Sequence, residues 1–169
     1  LKPEQLPWYR DKSVTRALLT ELGLPTPGFR KIPIAYFKDR SKRTQLKELL
    51  EGLRYPVVSK PLDKYGSRGI YISEDLEELI NGAEKTAGFS DMPEILVEEY
   101  NDGYEFNMMT WVQHGKVHVI SIADREKTFV AKGEIPISTR NVYPSRLLSK
   151  VEKPATELLQ AYADRTGHK

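Results

Sequence analysis

The sequence predicts an α+β fold, a small helix and antiparallel-sheet lobe followed by the start of a second sheet lobe, and three observations predict it. Tyr55 to Ile72 reads as two β-branched strands, marked by Val57, Val58, Ile70 and Ile72, joined by a short basic connection with glycines at 66 and 69. Segments on both sides of this hairpin place apolar residues at helical spacing. A further strand, Ile95 to Tyr100, is followed by a second hairpin pattern beginning at Phe106.

The first helix is expected from about Ser13 to Leu22. Asp11 is placed to cap it, Val14, Ala17, Leu18 and Leu22 share one face, and Gly23 with Pro25 ends it. Residues 1–28 thus form an N-terminal helical segment. A proline-rich passage leads to Phe37, and the basic run Lys38-Asp-Arg-Ser-Lys-Arg43 is expected to be an exposed loop. Leu46, Leu49, Leu50 and Leu53 then mark a second helix at i, i+3, i+4 and i+7. Beyond the hairpin, Ser73 is expected to cap a third helix, with Glu74 and Asp75 complementing its positive end and Leu76, Leu79, Ile80 and Ala83 facing inward. Together with the strand at Ile95 these elements make a lobe over residues 29–100.

Residues 101–169 read as part of a second lobe. Phe106 to Val112 is apolar on both faces, which places Met108, Met109 and Trp111 in a core, and Gln113-His-Gly-Lys116 turns the chain into Val117 to Ala123. Residues 124–144 lack periodicity and are expected to be a functional or crossover loop rather than a strand pair. Leu147, Leu148, Val151, Leu158, Leu159 and Tyr162 return to helical spacing, with Pro154 expected to kink that helix or begin a new one.

Composition narrows the functional classes. With no cysteine among 169 residues, disulfide frameworks and thiolate metal sites are excluded. His114 and His118 have no partners at metal-ligand spacing. No apolar run approaches the roughly 20 residues of a membrane span and no signal-peptide core is present, so a cytoplasmic protein without membrane association is expected. The chain opens on Leu1 rather than methionine, so a piece of a longer protein or a processed chain is expected. Residues 1–72 hold 15 Lys and Arg against 7 Asp and Glu, whereas residues 73–169 hold 11 against 17. A basic front half suits a polyanionic ligand. Nucleic acid fits less well, because no aromatic and basic stripe, zinc-finger or RNP-like motif is present.

Chemistry concentrates in the first hairpin. Lys60 lies within a strand, so a rigid element aims its side chain, while Lys64 and Arg68 ride on the connection. Gly66 and Gly69 permit backbone conformations that bring amide N–H groups close to an anion. The same residues also fit an ordinary hairpin with solvated charges, and Glu98 with Glu99 also fits an edge strand protected by charge.

The order and spacing of five features resemble the ATP-grasp superfamily: Asp11-Lys12 opening a helix, Val57-Val-Ser-Lys-Pro61, Gly66-Ser-Arg-Gly69, Val97-Glu-Glu-Tyr100, and Gly103-Tyr-Glu105. Ala123-Asp-Arg-Glu-Lys127 and the segment from Ile135 to Pro144 look most like proteins similar to the carbamoyl-phosphate synthase large subunit. The resemblance implies an ATP-grasp fragment and the ATP-binding region of a ligase that makes an acyl phosphate from a carboxylate or bicarbonate for attack by an amine. It implies that Lys12 and Lys60 contact the α- and β-phosphates of ATP, and that Gly66, Ser67, Arg68 and Gly69 form a flap over the β- and γ-phosphates. It likewise implies that Glu98, Glu99, Tyr100 and Asn101 read adenine and that Glu105 holds the ribose. Arg125 and Lys127, with Arg140, are candidates for binding the γ-phosphate or a carboxylate substrate during catalysis. The chain departs from the most glycine-rich members by carrying Asp63-Lys-Tyr65 ahead of the flap. Magnesium is the implied second cofactor, with ligands expected downstream in an acidic residue and a Glu-x-Asn-like motif, so this piece alone is expected to be inactive. The rival reading is a nucleotide-binding or sensing module without chemistry.

Overall fold

The computed structural model describes residues 3–128, 131 and 135–168. Two compact units are present: Leu1–Thr20 with Pro25–Asn101 and Val130–Ile135, and Glu21–Leu24 with Asp102–Phe129 and Pro136–Lys169.

In the first unit the chain passes through helices α1 (Leu6–Arg10) and α2 (Lys12–Glu21), strand β1 (Phe29–Pro33), and helices α3 (Ala35–Lys38) and α4 (Arg43–Leu49). It continues through β2 (Val57–Pro61), β3 (Tyr71–Ser73), α5 (Leu76–Ala87) and β4 (Glu94–Glu99). The four strands form an antiparallel sheet in the order β1-β4-β2-β3. Cross-strand register sorts the side chains. Ile32, Ile95, Val97 and Val57 lie toward a core completed by Phe37, Leu46, Leu79 and Ala83, all at most 1% exposed. Full burial of each of the larger of these side chains contributes about 1.5–3 kcal/mol, which makes this apolar layer the main anchor of the unit. The alternate residues of the same strands, including Lys31, Lys60, Leu96 and Glu98, fall on the other face.

The basic run from Lys38 to Arg43 is not a loop: it ends α3, passes through a 3-10 turn at Arg40–Lys42 and begins α4. Asp39 holds that turn by accepting from the Ser41 backbone N–H at 2.9 Å. Helix α4 stops at Leu49, so Leu53 packs against the core from beyond the helix. The cap of α5 is Asp75 rather than Ser73, which belongs to β3. Asp75 accepts from the Glu78 N–H at 2.9 Å, and the Glu78 carboxylate accepts from the Glu74 N–H at 2.8 Å, a reciprocal arrangement that satisfies two otherwise orphaned donors. Strand β4 lies between β1 and β2, which removes the edge-strand explanation for Glu98 and Glu99.

The second unit contains β5 (Phe106–Gln113), β6 (Lys116–Lys127), β7 (Ser138–Val142) and α6 (Leu148–Thr166), with an antiparallel sheet in the order β5-β6-β7. Residues 124–144 therefore contain the end of β6 and all of β7, where a loop was expected. Ser-Thr-Arg-Asn-Val has no apolar alternation because β7 is an exposed edge, and backbone pairing to β6 determines it. Met109 and Trp111 are 57% and 60% exposed rather than core, because β5 half-buries its alternate residues and leaves these on the open face. Helix α6 runs unbroken through Pro154. Among the described residues no helix is long and apolar enough to cross a membrane.

Candidate functional site

The charged face of the first sheet centres on Glu98. Its side chain is only 4% exposed, and burial alone would raise its pKa. Hydrogen bonding from Arg16 and the charges of Lys60 and Arg16 outweigh that cost and hold it below the usual carboxylate range. Arg16 grips the group with Nε on Oε2 at 2.9 Å and Nη2 on Oε1 at 3.3 Å, while Lys60 Nζ donates to Oε1. Glu98, the first of the four residues expected to read adenine, is thus engaged by two cations. Arg16 was not singled out from the sequence. The available signal was its position four residues after Lys12, which puts both on one helical face.

Asp11 immediately precedes α2, accepting from the Ser13 N–H at 2.8 Å and the Ser13 Oγ–H at 2.6 Å. Lys12 then reaches the start of the glycine loop. Its ammonium donates to the carbonyls of Pro61 at 2.9 Å, Leu62 at 3.3 Å and Lys64, and lies 5.2 Å from the Tyr65 ring centroid. Burial lowers the Lys12 pKa and the positive charge of Lys60 lowers it further. The loop is anchored at its other end as well. The carbonyl of Gly69, at φ 68°, accepts from Thr86 Oγ1–H at 2.9 Å, and a Cβ there would come within 2.8 Å of Phe89, so no side chain fits. Asp63 accepts from Ser90 Oγ at 2.6 Å and pairs with Lys64 at 3.2 Å, which gives this departure from the glycine-rich pattern a structural role. Only the tip, Tyr65, Gly66, Ser67 and Arg68, is exposed, and both Gly66 and Ser67 have positive φ.

Glu99 and Tyr100 bind the connection around them. Glu99 N–H donates to the Gly28 carbonyl and Tyr100 N–H to that of Pro56, both at 2.9 Å, and Asn101 follows exposed. The Glu99 carboxylate accepts from Arg54 N–H at 3.0 Å, Nε at 3.2 Å and Nη2 at 3.1 Å, which lowers its pKa to about 2. A depressed carboxylate contributes stability that is complete above its unfolded value and lost as pH falls toward the folded one. The pH dependence of stability measured by denaturant unfolding between the ordinary Glu value and pH about 2 should therefore flatten in Arg54→Met. An unchanged acid limb would remove Glu99 from that role.

In the second unit the candidates Glu105, Arg125 and Lys127 come together. Arg125 Nη1 and Lys127 Nζ each lie 3.2 Å from the Glu105 carboxylate, and Arg125 N–H donates to the Glu105 carbonyl at 3.1 Å. Arg125 and Lys127 share a face because they are two apart on β6. Arg140 does not join them: it pairs with Glu126, the intervening residue, at 2.6 Å. A further cluster escaped sequence reasoning. Buried Asp124 accepts from Ser145 Oγ at 2.5 Å and from Arg146 N–H at 3.3 Å, and Arg146 Nε donates to the Tyr104 hydroxyl. Hydrogen bonding by Ser145 lowers the Asp124 pKa.

The donor set suits a polyphosphate. Lys12, Arg16 and Lys60 lie together beside the glycine loop, with Glu98 as the shared counter-ion of Arg16 and Lys60 and with Asp11 and Asp63 also acting on Lys12. At the loop tip a Cβ on Gly66 would meet nothing within 4 Å. Among the described residues, no three of His, Cys, Asp or Glu converge to hold a metal.

A model of the ATP-grasp domain matches residues 53–169. Cyanophycin synthetase of Synechocystis sp. is 35% identical over 117 residues, covering 68% of this chain and 12% of that protein. The carbamoyl phosphate synthase large chain N-terminal section of Methanopyrus kandleri is 28% identical over 145 residues, covering 84% of this chain and 24% of that protein. The fold resembles VanG D-Ala:D-Ser ligase from Enterococcus faecalis with a TM-score of 0.74 at 21% identity, over 94% of this chain and 45% of that one. The chain spans less than half the length of each of these proteins. The domain match extends over well over half of the residues, including the Lys60 strand, the glycine loop and the Glu98 strand, and the chain belongs to the ATP-grasp domain family.

Proposed function

We propose that this chain is the ATP-binding region of an ATP-dependent carboxylate–amine ligase, similar to the carbamoyl-phosphate synthase large subunit, that activates a carboxylate or bicarbonate as an acyl phosphate. The observation that carries this reading is the clustering of Lys12, Arg16 and Lys60 beside a glycine loop with an exposed tip, within a chain of the ATP-grasp family. Residues 29–100 act as the small lobe and 101–169 as part of the second.

In this reading Lys60 and Lys12 neutralise phosphate charge, since charge-assisted hydrogen bonds are the stronger kind. Gly66, Ser67, Arg68 and Gly69 close as the flap, with the exposed tip supplying movement and the anchored ends limiting it. Glu98, Glu99, Tyr100 and Asn101 present the adenine-reading strand. Arg125 and Lys127 stabilise charge on the transferring phosphoryl group. Magnesium, with its ligands expected outside this chain, would supply charge neutralisation on the phosphates, and the residues of this chain contribute positioning and electrostatics. Saturable ATP binding by the chain in titration calorimetry, competed by ADP, is the expected result, and no binding of either would overturn the reading.

Glu105 holds the ribose hydroxyls in this scheme, because a carboxylate accepts from two neighbouring hydroxyls at once. Glu105→Ala should therefore weaken ATP more than 2′,3′-dideoxy-ATP, which has no hydroxyls to lose. Equal weakening of both in a folded variant would leave Glu105 only as the counter-ion of Arg125 and Lys127.

A further inference from the structure

The two cations on Glu98 differ in what a phosphate can take from them. Lys60 donates from a single ammonium on β2, whereas Arg16 on α2 spans both carboxylate oxygens at 2.9 and 3.3 Å. If Lys60 turns to a phosphate, as in the reading above on which this inference rests, a carboxylate with 4% of its side chain exposed loses one of its two partners. A buried carboxylate without a cation takes up a proton rather than stay charged. The guanidinium fork prevents that without moving, because it already occupies both oxygens.

We propose that Arg16 is a positioning residue of the nucleotide site, keeping Glu98 ionised and in place when Lys60 engages phosphate, so that nucleotide binds without proton uptake at Glu98. The charged groups that face Glu98 are Arg16 and Lys12 from α2 and Lys60 from β2. Its neighbours across the sheet, Phe29 on β1 and Val58 on β2, do not titrate. Lys12 donates to the carbonyls of Pro61, Leu62 and Lys64 rather than to Glu98.

The test counts protons. ADP binding is measured by calorimetry in buffers of different ionisation heat, comparing the unaltered chain with Arg16→Met, so that the titration of ADP itself cancels. The variant should take up about 0.5–1 proton more than the unaltered chain. Its affinity should also fall up to about tenfold more per pH unit as pH rises between the free and bound pKa values of Glu98. Arg16→Lys should remove most of the excess, and Glu98→Gln in the Arg16→Met background should abolish it. Equal proton counts in folded Arg16→Met and the unaltered chain would overturn the proposal. Carboxyl 13C NMR of the unaltered chain gives a second measurement that does not depend on the variant folding. Glu98 should stay ionised with and without ADP near pH 6, and its protonation on ADP binding would also overturn the proposal. Failure of the unaltered chain to bind ADP would instead overturn the functional reading and the proposal with it.

Discussion

Replacing Glu98 with alanine is expected to lower folding stability by about 2–4 kcal/mol, because breaking a buried ion pair strands its partners as uncompensated charges. Two cations lose their counter-ion here, and their residual exposures of 28% for Arg16 and 21% for Lys60 place the expected loss below the full cost of a wholly buried pair. The effect also has a pH sign. The Glu98 pKa is held low, so its stabilisation is present above the usual Glu range and disappears as pH falls through the folded value. The alanine variant should consequently lose most stability relative to the unaltered chain near neutral pH and least in acid. Urea unfolding at several pH values checks both statements, and a neutral-pH change below about 0.5 kcal/mol, the level of an ordinary surface substitution, would show that water already screens the network.

Lys60→Ala is expected to weaken ATP by roughly 1.5–3 kcal/mol, the range of a hydrogen bond to a charged group. That corresponds to about 10- to 150-fold in affinity, with adenosine much less affected because it has no phosphates. Lys12→Ala should behave differently. Its ammonium holds the carbonyls of Pro61, Leu62 and Lys64, so its removal should speed amide exchange around the start of the glycine loop as well as weaken ATP. Calorimetry with ATP and adenosine, run beside hydrogen exchange, separates the two lysines. Equal losses of ATP and adenosine affinity in folded Lys60→Ala would place Lys60 away from phosphate.

Both expectations follow from how the clustered cations are compensated within the fold. Glu98 serves as an internal anion for Lys60 and Arg16, while carbonyl groups occupy Lys12. Each cation is thus partly satisfied in advance. In the proposed reading, nucleotide phosphate would compete with these partners, which would moderate its affinity and make partner exchange part of binding.

The sequence by itself determined the strands at Val57, Tyr71 and Glu94, the helices at Lys12 and Leu76, and the glycine-bearing connection between β2 and β3. Each of these is encoded by contiguous residues whose spacing reports which side of an element is apolar. The ordered motifs from Asp11 to Glu105 likewise marked the family, because their positions along the chain are themselves sequence information. Only the tertiary structure decided that Arg16 meets Glu98, 82 residues away, that Asp63 is held by Ser90, and that Arg140 faces Glu126 rather than Glu105. It also decided that polar Ser138–Val142 is a strand and that Met109 and Trp111 face outward. Local periodicity describes one element's own faces. Which charge sits opposite which, and whether an edge is paired, depends on the register between distant segments.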